Sequence, residues 1–290
     1  MSEFQLFLPQ MRMTLDVIVD KARVAERAGF DGIALMDHLV APGAEHQPTW
    51  DAMATATWIA AHTSSLDVGH LVLCDAFRHP AVLAKQAVTI DHASNGRFEL
   101  GLGWGSYDAE IEAFGTGDPR PAARFARLAE TVEVVSALWT GDPVDHDGEH
   151  HQLSGAAQSP LPTRPIPIVI GGTGPKTMDL VARHATWWNC PGYAFDRFDE
   201  LRERCGDARP SLQIMVAVVP TEADRAEVEG LATKRFGPRP DMVMGTPSEL
   251  VDKFGEIADR GVERFYLWCT DFAAEPTLDL LGAEVIPHLR

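Results

Sequence analysis

Short apolar runs alternate with amphipathic stretches along all 290 residues. Phe4 to Pro9 (FQLFLP) reads as a strand and Gly32 to Met36 (GIALM) as a second. Between them Val17, Ile18, Ala22, Val24 and Ala25 form the apolar stripe of a helix that Thr14 can cap and Gly29 can end. The same alternation predicts a helix over Trp50 to His62, a strand over Val68 to Leu73, a helix over Pro80 to His92 and a strand over Phe98 to Gly103. A loop with a short helical piece follows, then a long helix from Pro121 to Trp139. Further strands are expected at Ile166 to Ile170, Thr186 to Asn189, Leu212 to Val219 and Arg264 to Trp268. Helices are expected at Lys176 to His184, Asp199 to Arg204, Glu222 to Arg235, after a Ser248 cap, and from Pro276 to His288. A Gly/Pro loop is expected up to Gly245.

The strands are apolar on both faces, as in a buried parallel sheet. Strand–helix alternation without a linker-like break predicts one (β/α)₈ TIM barrel over residues 1–290, with an open doubly wound sheet as the alternative. Val144 to Leu153 interrupts the alternation. It reads as a hairpin turning at Asp147-Gly148, an excursion after the fourth long helix.

Hydrophobic content of 45% and charged content of 23% are ordinary for a soluble domain. A net charge of −17 argues against nucleic-acid and anionic-membrane partners. No apolar run approaches a membrane span and no signal peptide is evident, which points to the cytoplasm. Cys74, Cys190, Cys205 and Cys269 are dispersed, as isolated thiols would be.

In such barrels chemistry sits at the C-terminal ends of the strands. Gly171-Gly172-Thr173-Gly174-Pro175-Lys176 there reads as a phosphate cup, or as a plain tight turn: glycines expose N–H groups and Pro175 suits the first helical turn. Asp37-His38 follows the second strand, where His38 could move a proton or serve only as a structural residue. Trp104, in a glycine-rich loop, is a candidate pocket wall, whereas Trp187 and Trp188 suit packing. Arg78 is a possible buried-charge anchor beside the helix start at His79-Pro80. His146, His150 and His151, with Asp145, Asp147 and Glu149, read as a solvated ribbon rather than a metal site, and no metal is expected.

Five segments in order resemble the bacterial-luciferase-like superfamily of flavin- and deazaflavin-dependent oxidoreductases. They are AERAGFDGIALMDH, RHPAVLAKQAVTIDHASNGRFELGLGWG, RFARLAETVEVVSALWTGDPVDHDGEHHQL, RPIPIVIGGTGPKTMDLVARHATWWN and GTPSELVDKFGEIADRGVERFYL. The resemblance implies a barrel binding coenzyme F420, or alternatively FMN. It implies Asp37 and His38 near the ring, His38 being catalytic, and a third-strand bulge at Leu71-Val72 with a non-proline cis peptide. It further implies Cys74 at the ring, Gly171, Gly172, Thr173 and Gly174 around the phosphate, and Asn189 and Cys190 beside them. Trp104 and Ser106 would face substrate. A homodimer and a separate F420 or flavin reductase are implied on the same footing.

The chain departs from the family's glucose-6-phosphate dehydrogenases. LVAPG replaces the tryptophan-containing stretch after Asp-His, and Ser106 stands at their acidic position. That leaves the general acid unidentified and argues against that sugar phosphate. Three readings follow: an F420-dependent oxidoreductase of a small organic molecule, an FMN-dependent monooxygenase using reduced flavin and oxygen, and a non-catalytic cofactor-binding protein. A metal-dependent hydrolase is a fourth, lesser one.

Overall fold

The computed structural model describes residues 1–290. In chain order it runs β1 (Glu3–Leu8), α1 (Leu15–Arg27), β2 (Gly32–Leu35), α2 (Ala52–His62), β3 (Asp67–His70) and β4 (Leu73–Cys74). Next come α3 (Pro80–Ala93), β5 (Leu100–Gly103), α4 (Asp108–Phe114), α5 (Pro121–Leu138), β6 (Val144–Asp147) and β7 (Gln152–Ala156). The chain continues through β8 (Ile168–Gly171), α6 (Pro175–His184), β9 (Trp187–Pro191), α7 (Phe198–Arg202), β10 (Arg209–Val218) and α8 (Arg225–Phe236). It ends with β11 (Met242–Gly245), α9 (Pro247–Asp259), β12 (Arg264–Cys269) and α10 (Glu275–Glu284).

The main sheet is parallel in the order β3-β2-β1-β12-β10-β9-β8-β5-β4. A parallel bridge between Val68 and Phe98 closes the ring: Val68 N–H donates to Arg97 O at 2.8 Å and Glu99 N–H to Val68 O at 3.0 Å. The fold is thus the TIM barrel that the alternation indicates, with its third strand split into β3 and β4 around a cis Leu71–Val72 peptide. β6 and β7 form the expected antiparallel hairpin, but Asp147 pairs with Gln152, so Gly148–His151 make a four-residue turn rather than a tight Asp-Gly turn. Two further expectations are corrected. The loop before Gly245 contains β11, which joins β10 at Met215–Val218, beyond the point where β9 stops pairing at Gln213. And α9 is capped by Thr246, not Ser248, in a capping box with Glu249.

Side chains alternate across the barrel wall. Phe4, Leu6, Ile33, Leu35, Trp188 and Phe265 point outward into the core beneath the helices. Phe7, Ala34, Met36, Leu71, Val169, Trp187 and Tyr266 point inward. Arg264 plugs the N-terminal end of the barrel. It forms a two-point pair with Glu99 at 2.7 and 3.0 Å, bonds Glu3 at 2.5 and 2.8 Å, and lies 3.8 Å from the Trp187 ring centre. With that end filled, the barrel opens at its C-terminal end. No helix is long and apolar enough to cross a membrane.

Candidate active site

A cleft of about 610 Å³ opens at the C-terminal ends of the strands. Asp37, His38, Leu71, Val72, Cys74, Trp104, Ser106, Gly171, Gly172 and Asn189, all expected from the sequence, line it. Thr173, Gly174 and Cys190 do not. Thr173 and Gly174 lie in the turn that leads into α6, Gly174 as its N-cap. Cys190 is fully buried in the outward core, one residue out of phase with Asn189, and burial pushes its thiol up to about 12.

The floor of the cleft is the bulge between β3 and β4. It fits here because β5 presents glycines: a Cβ on Gly101 would collide with the His70 carbonyl oxygen, and one on Gly103 would sit 2.5 Å from Val72 Cγ2. Across from it, a Cβ on Gly171 would meet nothing closer than Val72 Cγ1 at 3.8 Å and the Asn189 side chain at 3.9 Å. Leu71, Val72, Gly103 and Gly171 therefore form an apolar wall from which Gly103 and Gly171 project no side chain, one side of a slot that suits the face of a flat ring. Gly172, at φ +130°, turns the chain into α6, whose N-terminus no side chain caps. That end offers free N–H groups and a partial positive charge to a phosphate. Slot and cup together fit a flavin-like cofactor. Cys74 lies beneath the slot, where burial pushes its thiol up to about 12 and leaves it inert.

Asp37 is committed elsewhere. Its buried carboxylate accepts the Cys74 N–H at 2.9 Å and both terminal nitrogens of Arg78, at 2.5 and 3.0 Å. Arg78 also donates to Asp51 at 2.8 Å, and Asp51 caps α2 through Ala54 N–H at 2.7 Å. Arg78 is the buried anchor its sequence position suggests, and Asp37 ties the end of β2 to the bulge.

His38 has a different partner. Its Nδ1 lies 3.0 Å from Glu110 Oε2, while Glu110 Oε1 accepts the N–H groups of Leu39 at 2.5 Å and Val40 at 2.9 Å. The Glu110 side chain is only 2% exposed. Nδ1–H donating to this carboxylate leaves Nε2 as the exchangeable nitrogen. Ser106, at the acidic position of the glucose-6-phosphate dehydrogenases, is exposed; the carboxylate beside His38 is the buried Glu110 four residues later, which the sequence pattern does not single out.

The outer lip carries Trp104, Tyr107, Pro121 and Tyr193. Arg124 packs 4.8 Å from the Trp104 ring centre and donates to Asp108 at 2.7 Å and to Gly105 O at 3.3 Å. The hairpin histidines lie away from the cleft, against α5. Glu130 accepts N–H groups of Glu149, His150 and His151, and His151 Nε2 sits 3.0 Å from Thr131 Oγ1.

Residues 2–236 match the luciferase-like monooxygenase family, and the chain belongs to it. It is 35% identical to an F420-dependent glucose-6-phosphate dehydrogenase of Nakamurella multipartita, over 94% of this chain and 92% of that one. It is 36% identical to the enzyme of the same name from Amycolatopsis mediterranei, but there the chain spans about half of the relative's length, 52%. Among solved structures it superposes on an F420-dependent secondary alcohol dehydrogenase in complex with an F420–acetone adduct, with a TM-score of 0.83, 20% identity and coverage of 100% and 99%. A monooxygenase from Streptomyces bottropensis gives 0.82 at 18% identity, covering 99% of this chain and 100% of that one. These two likenesses bear on the fold.

Proposed function

We propose that the protein is an F420-dependent oxidoreductase acting on a small organic alcohol or its carbonyl counterpart. The observation that carries this reading is the His38–Glu110 pair at the mouth of a cleft walled by the Leu71–Val72 bulge. The cofactor named for the relatives supports F420 over FMN. Leu71, Val72 and Gly171 would hold the ring, and Gly172 with the α6 N-terminus would hold the phosphate. When bound, the deazaflavin supplies a two-electron hydride acceptor or donor.

The chain's own residues supply the rest. His38 Nε2 takes the hydroxyl proton of an alcohol, or returns a proton to a carbonyl oxygen. Glu110 fixes the tautomer and holds the Leu39-Val40 backbone that carries the ring, so the acceptor is in place before substrate arrives. Trp104, Tyr107 and Tyr193 enclose the outer cleft. Titrations with F420 and with FMN, followed by turnover of simple alcohols by wild type and His38→Ala, test the reading. F420 binding with histidine-dependent alcohol oxidation is the expected result. Oxygen uptake with reduced FMN and no F420 binding would instead favour a monooxygenase.

A further inference from the structure

The cleft's only lysine or arginine is already neutralised. Among its lining residues Arg124 is the single such cation, against the carboxylates of Asp108 and Glu110, that of Asp37 being paired with Arg78 behind the wall. The Arg124 side chain is 4% exposed, and its Nη2 is 2.7 Å from the Asp108 carboxylate, whose own side chain is 63% exposed. Nη1 is taken by Gly105 O, and Nε is buried without a partner. At the rim Tyr107 donates to Glu45 at 2.9 Å, which places a further carboxylate at the entrance.

An anionic substrate group entering at the lip meets no free lysine or arginine, and the α6 N-terminus at the far side of the cleft would be taken by the cofactor phosphate. The group meets Asp108 and Glu45 instead, on a chain carrying −17 overall. Burying a charge without a partner is strongly unfavourable, and so is placing it beside like charge. The remaining surface of the lip is uncharged and largely aromatic: Trp104, Tyr107, Pro121 and Tyr193, with Ser106 between.

We infer that Asp108 is a specificity-determining residue. By occupying Arg124 it makes the cleft select uncharged alcohols or ketones with an apolar or aromatic body, and reject phosphorylated or carboxylated ones. This rests on the oxidoreductase reading above. Removing the Asp108 charge would present the Nη2 edge of Arg124 to an incoming anion in the same place.

The test compares 1-phenylethanol with mandelate, which differ only in a methyl group replaced by a carboxylate, and adds glucose 6-phosphate. Wild type is expected to favour 1-phenylethanol by at least about tenfold in kcat/KM, equivalent to about 1.4 kcal/mol. Asp108→Asn should narrow that ratio by about tenfold through a gain on mandelate, and Asp108→Asn with Arg124→Met should restore it. Asp108→Ser serves as a second single variant. Calorimetric titration of mandelate gives a readout free of turnover: no saturable binding to wild type, binding to Asp108→Asn, and loss again in the double variant. Efficient use of mandelate or glucose 6-phosphate by wild type would overturn the inference. So would unchanged ratios and titrations in Asp108→Asn. A protein that binds no F420 fails the oxidoreductase reading instead, and the titrations still decide whether Asp108 masks Arg124.

Discussion

Glu110 Oε2 sits 3.0 Å from His38 Nδ1 and shares its carboxylate with two backbone N–H groups of the same loop. One buried side chain therefore sets both the tautomer of the proposed proton carrier and the path of the backbone that carries it. His38→Ala should lower kcat by about 10²–10⁴-fold, the usual range for a general acid–base group, while F420 affinity changes little. Glu110→Ala should lower kcat as well and also destabilise the fold by about 1–3 kcal/mol, because the Leu39 and Val40 N–H groups lose their acceptor. Glu110→Gln keeps an acceptor for them and should recover the stability but not the rate. Steady-state kinetics beside thermal unfolding separates the two effects.

Asp37 predicts the opposite split. Its partners are Arg78 and the Cys74 N–H, so Asp37→Ala leaves Arg78 with only the half-exposed Asp51 and the Cys74 N–H with no acceptor, and should cost about 1–3 kcal/mol in stability. Asp37→Asn still accepts from Cys74 and should fold with a smaller loss. If the side chain served only as a ring contact, cofactor affinity would fall with no loss of stability. Chemical denaturation and cofactor titration on the same variants distinguish these outcomes.

Gly101 and Gly103 should differ in tolerance. A methyl group on Gly101 meets the backbone oxygen of His70, whereas one on Gly103 meets only the Val72 side chain. Gly101→Ala should destabilise by about 1–3 kcal/mol or more, as overpacking against rigid backbone does, and should abolish cofactor binding. Gly103→Ala should fold nearly as wild type, with the loss showing in cofactor affinity as Val72 shifts. Unfolding midpoints and cofactor titrations check both.

Asp67 gives a pH prediction. Burial, and next the neighbouring Glu99 charge, raise its carboxyl from 3.8 to about 7. The folded protein therefore holds this proton more tightly than the unfolded chain does. The resulting stabilisation is complete below about pH 4 and lost as pH rises to about 7. Asp67→Asn, which cannot ionise, should gain stability over wild type at pH 8 relative to pH 5. Between those two pH values the gain is bounded by about 3 kcal/mol, at about 1.4 kcal/mol per unit over the two units from pH 5 to about 7. Thermal unfolding of both proteins across that range is the check.

The barrel was legible because buried parallel strands and amphipathic helices leave different periods in the sequence, and the bulge was legible through resemblance. What escaped has physical reasons. WWNC puts a tryptophan on each face of β9, so its pattern could not show that Asn189 faces the cleft while Cys190 faces the core. Asp37 meets Arg78 across 41 residues, and Glu110 meets His38 across 72, so only the closed barrel brings them together. Within DAEIEAF, Glu110 reads like any solvated helix carboxylate; the backbone N–H groups that bury it belong to another loop. β11 lay hidden because Gly/Pro residues flank its four-residue run.

The central claim is the cofactor. Fluorescence titration of the purified protein with F420 and with FMN, under identical conditions, tests it most directly. The account predicts saturable F420 binding at least about tenfold tighter than FMN, a difference of about 1.4 kcal/mol. Tight FMN binding with no F420 binding would contradict it.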